Sequence, residues 1–153
     1  MKPVAHLTDS RLAENRRARF DYDIEETFEA GIELAGYEVA SVKRGHLELA
    51  GSYAIIRGGE IWLVNATIPP YQPKNMKEEY DPTRARRLLL HKEEIQALTG
   101  KLAEKGRNLI PLHAFVKKGL VKLELGLGRS RKKGDKRDLL KKRDIERDIQ
   151  RKL

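Results

Sequence analysis

NRRARFDYDIEETFEAGIELAGYEVASVKRG, residues Asn15 to Gly45, is the stretch from which the fold can be read. Three arginines, Arg16, Arg17 and Arg19, run into an alternation of Phe20, Tyr22 and Ile24 with Asp21, Asp23 and Glu25. Alternation with period two is the signature of a half-buried strand. Phosphate-seeking charge therefore stands at the mouth of a β-sheet. Ala30 and Gly31 interrupt the run where a strand bends, and Ile32 with Leu34 resumes it until Gly36, so one long bent strand is expected. Between Gly36 and Gly45, Val39 and Val42 lie three apart among charged neighbours, a spacing that suits a short helix plugging one end of a barrel, with a continued strand as the alternative.

Outward from this stretch the chain is mostly strand-like. SYAIIR and EIWLVN flank Gly58-Gly59, a dipeptide that supplies positive φ to a tight hairpin turn. Residues 68–82 hold four prolines and form a long loop. RARRLLL, from Arg84, reads as an edge strand with its arginines facing solvent or RNA. In HKEEIQALTGKLAEKG, Leu90, Glu94, Ile95, Leu98 and Leu102 follow helical spacing, with Gly106 as a stop. NLIPLHAFV and GLVKLELGLG are two further strands; Pro111 puts the first at an edge or bulge, and the second turns Val121, Leu123 and Leu125 inward and Lys122 outward. Residues 1–14 read as a flexible lead. The sum is a mostly β protein, a small antiparallel barrel resembling an oligonucleotide-binding fold with flanking helices; period and turns alone fit an α+β sandwich nearly as well.

Charge divides the 153 residues in two. From Arg129 to the end there are twelve Lys or Arg against five Asp or Glu, a net of +7, which leaves +2 of the total +9 for residues 1–128. A barrel domain over 1–128 and a basic tail over 129–153 are expected, the tail disordered when free and helical when bound. With no cysteine, disulfide and thiolate chemistry are excluded. No apolar run approaches the roughly 20 residues of a membrane span, and a soluble, cytoplasmic monomer is expected. His6, His46, His91 and His113 are scattered without metal-ligand spacing, Glu25 and Glu26 fall on opposite faces of a strand, and GLGRSRKKG lacks the ending of a phosphate-binding loop. A binding protein without cofactor is expected, not an enzyme.

Read in order, NRRARFDYDIEETFEAGIELAGYEVASVKRG, GSYAII, GEIWL, DPTRARRLLLHKEEI, IPLH, VKLELGLG and GDKRD resemble the SmpB family, which binds transfer-messenger RNA (tmRNA) in bacterial ribosome rescue. The resemblance covers nearly the whole chain. It implies that the barrel grips the tRNA-like part of tmRNA while the tail probes the empty messenger channel of a stalled ribosome, against small-subunit ribosomal RNA. It also implies RNA contacts at Asn15, Glu29, Leu89 and Lys122, and ribosome contacts at Asp135, Lys136 and Arg137. Arg16, Arg17 and Arg19 join the RNA set because a guanidinium matches phosphate oxygens, and Phe20 and Tyr22 because rings stack on bases. Against these stand plainer readings: a solvated arginine cluster, a rim carboxylate paired with an arginine for Glu29, and core packing for Tyr22 and Leu89. Phe20 and Gly134 depart from the family, which usually has histidine at the first position and often histidine or tyrosine at the second. A structural ribosomal protein and a nuclease are the rival functions, the second lacking any carboxylate or histidine cluster.

Overall fold

The computed structural model describes residues 11–71 and 79–132, together with Arg137, Leu140, Arg143 and Arg147 of the tail. Its elements are β1 (Arg11–Glu14), α1 (Ala18–Asp21), β2 (Tyr22–Ile32), α2 (Gly36–Lys43), β3 (Tyr53–Arg57), β4 (Glu60–Val64), β5 (Arg86–Leu89), α3 (Lys92–Leu102), β6 (Arg107–Lys117) and β7 (Leu120–Ser130). The strands form one antiparallel sheet in the order β1-β6-β3-β4-β5-β2-β7, and pairing of β6 with β7 closes it into a ring. Closure leaves, among the described strands, only the outer side of the short β1 as a sheet edge. β6 runs along β7 on one side; its other side is shared, Leu109 facing Ala54 of β3 and residues 113–115 facing β1.

Inside the ring, the alternation of β7 delivers Leu123, Leu125 and Leu127 to a core that also holds Ile61, Leu63, Leu88 and Leu109. Val42 of α2 and Leu98 of α3 enter the same cluster and are fully buried, which is how the two helices attach to the barrel. Each such side chain contributes about 1.5–3 kcal/mol relative to exposure. The expected hairpin is present, with Gly58 and Gly59 at φ of 63° and 75° turning β3 directly into β4. Pro111 does sit at a bulge, where the β6–β7 register slips between Pro111 and His113.

Several expectations are corrected. Residues 11–14 are not a loose lead but strand β1 on β6. Phe20 does not begin the long strand: it lies in α1, a single turn whose Ala18 is buried on Ile110 and Leu112 and whose Arg17 carbonyl accepts from the Phe20 and Asp21 N–H groups. That packing overrides the period-two pattern. The bend of β2 falls at Glu25, the extra residue between Ile24↔Gly128 and Glu26↔Leu127, and not at Ala30-Gly31. The bulge turns both Glu25 and Glu26 outward, where Glu25 meets Arg107 at 3.0 Å and Glu26 meets Lys101. α3 begins at Lys92, after Leu90, and ends at Leu102 before Gly106. Here the Glu94 carboxylate accepts the His91 backbone N–H at 3.1 Å and caps the start.

β5 is the largest departure, for it is not an edge strand: β4 and β2 pair with it on either side. Its Arg86 is fully buried against an equally buried Glu38 of α2, with Arg86 Nε and one terminal nitrogen 2.9 and 2.8 Å from Glu38 Oε2. Arg84 donates to both oxygens of the same carboxylate, the Ala35 N–H adds a bond at 2.9 Å, and Arg86 also donates to the carbonyls of Ala66, Arg84 and Pro82. The arginines expected to meet solvent or RNA instead tie α2 to β5.

Beside the bulge, β7 passes so close to β2 that a Cβ on Gly128 would lie 2.3 Å from the Asp23 carbonyl oxygen. The obstacle is backbone in a paired strand, with no side chain to swing away. Gly128→Ala should therefore destabilise the barrel by about 1–3 kcal/mol, the ordinary cost of overpacking. The measurement is the urea midpoint; an unchanged midpoint would mean that the bulge can relax.

Candidate nucleic-acid interface

The polypeptide from β1 to α1 builds an arginine corner. Its pivot is Asn15, mostly buried, whose Nδ2 donates to Pro111 O at 3.0 Å and to Leu49 O at 3.5 Å while its backbone N–H bonds Leu112 O at 2.8 Å. The amide nitrogen that was expected to meet RNA is thus engaged in holding the turn. Arg16, Arg17 and Arg19 emerge exposed from that turn. Arg17 pairs with Asp21 at 3.2 Å and lies 4.8 Å over the Phe20 ring, and the Arg19 carbonyl accepts from Arg131 Nε at 3.3 Å. Phe20 is half-buried and has Arg143 of the tail at 5.7 Å from its ring centre. Tyr22 packs with Ile24 on Ala18, Ile110 and Leu112, the core-like reading of that ring.

A second group is assembled by register. Gly31 of β2 faces Leu89 of β5 on one side and Lys122 of β7 on the other; Lys122 faces Phe115 of β6, and Phe115 faces Arg11 of β1. In the adjacent row Glu29, Glu124, His113 and Glu14 follow one another across β2, β7, β6 and β1. The intervening residues Leu88, Ala30, Leu123 and Ala114 are buried, so both rows lie on the outer face. At about 4.8 Å per strand, the first row spans roughly 19 Å from Arg11 to Leu89.

Leu89 is 46% exposed, which corrects its reading as core. Leu88 takes the inward position, so its neighbour must face out, over the gap left by Gly31. An apolar patch beside Lys122 results. Glu29 is exposed and accepts from Lys117 Nζ at 3.1 and 3.3 Å, a lysine partner where an arginine was expected. Asp135 and Lys136 lie outside the described residues, as do Gly134 and His6. Arg137 has helical backbone and is exposed, as are Leu140, Arg143 and Arg147.

Sequence reading missed two neighbours of the corner, His113 and Glu124, whose Nδ1 and Oε1 lie 3.5 Å apart. His113 is largely buried, and that burial, then the Arg11 charge, holds its pKa below the ordinary 6.5. No local sequence signal marked them, because the β6–β7 register is what brings the two together and the β2–β7 register is what sets Glu124 opposite Glu29. Among the described residues no group of three or more His, Asp or Glu is placed to hold a metal ion, and no helix is long and apolar enough to cross a membrane.

A closed β-barrel whose outer face gathers an arginine corner and a lysine beside an exposed leucine, in a chain with a basic C-terminal segment, is of the nucleic-acid-binding class. Within that class the chain belongs to the SmpB family: the family model described as SmpB protein matches residues 12–153. It is 50% identical over 140 residues to an SsrA-binding protein of Synechococcus elongatus, covering 92% of this chain and 91% of that one. To the SsrA-binding protein of Chlorobaculum tepidum it is 53% identical over 137 residues, 89% and 87% of the two chains. A chain in the solved structure described as "tmRNA-SmpB: a journey to the center of the bacterial ribosome" superposes with a TM-score of 0.65 at 47% identity, over 78% of this chain and 84% of that one.

Proposed function

We propose that this protein is the tmRNA-binding adaptor of ribosome rescue, its barrel binding the tRNA-like part of tmRNA and its tail reaching the small-subunit RNA of a stalled ribosome in the cytoplasm. Family membership over residues 12–153 carries the reading. The geometry supports it. Arg16, Arg17, Arg19, Glu29, Leu89 and Lys122 come from four separate places in the sequence yet share one outer region of the β1-β6-β7-β2-β5 arc, with the buried Asn15 beneath the arginines. A surface with cations, a carboxylate and one apolar knob suits a folded RNA, recognised by shape, phosphate and sugar more than by sequence. The adaptor has no catalytic role; it supplies placement.

The test is filter binding of the tRNA-like RNA against bulk tRNA and ribosomal RNA. Preference for the tRNA-like RNA is expected, and its absence would overturn the reading in favour of a structural ribosomal protein. Within the same assay Lys122→Ala should weaken binding and flatten the salt dependence by about 0.7–0.9 in logarithmic slope, as one lost phosphate contact does. Leu89→Ser should weaken binding with the slope unchanged, because an apolar contact releases no counterions. A slope unaltered by Lys122→Ala would remove that lysine from the phosphate contacts.

A further inference from the structure

Between β1, α1, β6 and β7 lies a pocket of about 210 Å³, floored by Asn15 and Leu112 and walled by Arg11, Glu14, Arg16, Arg19, His113 and Glu124. The three arginines of the corner do not share it equally. Arg17 is turned away to Asp21, and Arg11 is occupied by Glu14 at 3.4 Å. Among the described residues, no carboxylate pairs with the guanidinium of Arg16 or Arg19. These two cations line a concavity whose floor is fixed by the buried Asn15 hydrogen bonds.

Glu124 is the second unusual member. It faces Glu29 directly across the β2–β7 ladder, and whereas Glu29 is neutralised by Lys117, Glu124 has, among the described residues, only the His113 ring at 3.5 Å as an ion-pair partner. Burial, then the Arg11 charge, keeps that ring in its neutral form at pH 7, so it does not cancel the carboxylate. A carboxylate maintained beside a like charge, in a pocket that Glu14 lines as well as three arginines, favours a ligand that brings a hydrogen-bond donor. A phosphate alone does not supply one. A ribose does, since its 2′-hydroxyl donates and is the group that distinguishes RNA from DNA.

We propose that this pocket takes one ribose–phosphate unit of the bound RNA, the phosphate lying against Arg16 and Arg19 and the 2′-hydroxyl donating to Glu124. His113 is a positioning residue that backs Glu124. The proposal rests on the RNA-binding function above and adds which backbone group enters, and which residues read it as RNA.

The experiment is 2′-hydroxyl acylation of the tRNA-like part of tmRNA, free and bound to the full chain, with salt-dependent filter binding alongside. The wild-type protein should protect a 2′-hydroxyl that Glu124→Ala leaves reactive and that Glu124→Gln, which keeps an acceptor oxygen, still protects. A 2′-deoxy substitution at that nucleotide should weaken wild-type binding about tenfold, the size of one hydrogen bond to a charged group, and should not further weaken Glu124→Ala. Arg16→Ala with Arg19→Ala should flatten the salt slope by about 0.7–0.9 per contact, and Arg57→Ala, at the β3–β4 hairpin away from the pocket, should leave it unchanged. All these side chains are at least partly exposed, so the variants should keep the wild-type urea midpoint. Identical protection by wild type and Glu124→Ala, or as large a slope change from Arg57→Ala as from the pair, would overturn the pocket assignment alone. Failure of the wild-type protein to prefer the tRNA-like RNA would overturn the function instead.

Discussion

Glu38→Gln is expected to cost about 3–5 kcal/mol of folding stability, the usual price of leaving one charge of a buried pair uncompensated. The partner left behind is the guanidinium of Arg86, which has no solvent exposure. Carbonyls of Ala66, Arg84 and Pro82 can hold its N–H groups but cannot neutralise it. Glutamine would also turn an amide N–H toward the arginines. The knot joins elements distant in sequence, α2 on one side and the 80–86 segment on the other, where the Tyr80 hydroxyl donates to Ile68 O at 2.7 Å and its ring meets Tyr37 edge-on at 5.1 Å. A urea titration reads the loss, and a ΔΔG below about 1 kcal/mol would show that the pair is dispensable. Replacing Glu38 and Arg86 together by apolar residues of similar volume should cost less than Glu38→Gln alone, because no buried charge remains unpaired.

The same knot gives the protein a defined acid sensitivity. Burial raises the Glu38 pKa, but hydrogen bonds from Arg84, the Ala35 N–H and Arg86, with the Arg86 charge, outweigh it and hold the carboxyl below its ordinary 4.5. A group depressed on folding contributes stability that is complete above its unfolded value and is lost as pH falls through the folded one. Stability from Glu38 should therefore be flat through neutral pH and decline below about 4.5, and in Glu38→Gln that part of the decline should be missing.

Local signals carried most of the fold. Gly58-Gly59 forces a turn, Val121 to Leu125 alternate without interruption, and α3 has both stripe and cap, so each is decided within a dozen residues. The misreadings lie where a distant segment decides. RARRLLL contains the right alternation, Arg84, Arg86 and Leu88 against Arg87 and Leu89, but its phase depends on Glu38, 48 residues before Arg86. Once Arg86 is placed inward, Leu88 is core and Leu89 must be exposed, so one hidden ion pair accounts for both the edge-strand error and the Leu89 error. Asn15 shows the same limit at the candidate site. Its residue type fits RNA contact, yet its Nδ2 bonds the carbonyls of Leu49 and Pro111, which no local pattern announces. His113 and Glu124 were invisible for the complementary reason: they become neighbours only through the β6–β7 register.

Lys136→Ala combined with Arg137→Ala should abolish tagging of stalled ribosomes and leave binding of free tmRNA within about twofold. The separation follows from where the tail is launched. β7 continues through Arg129 and Ser130, and Arg131 is fastened to the arginine corner by its N–H to Asp21 O at 2.8 Å and its Nε to Arg19 O at 3.3 Å. Everything up to Arg131 is therefore tied to the surface assigned to tmRNA, and a deletion that spares the sheet must begin after Lys132. Beyond that point 21 residues remain. As a helix they would reach about 30 Å from the barrel, and as an extended chain about 70 Å, well beyond the roughly 19 Å row from Arg11 to Leu89. Lys136 and Arg137 stand four and five residues past Lys132, about 18 Å of extended chain at most, so ribosomal RNA that meets them is brought up beside the barrel that holds tmRNA. Each charge-assisted contact to phosphate contributes about 1.5–3 kcal/mol, so losing two removes at least about 3 kcal/mol, more than a hundredfold in the engaged population. A reconstituted peptidyl-transfer reaction on stalled ribosomes measures the first effect and filter binding the second. Full tagging by the double variant would exclude these two cations from the ribosome contact, and a large loss of free tmRNA binding would place the tail in the barrel's own RNA site.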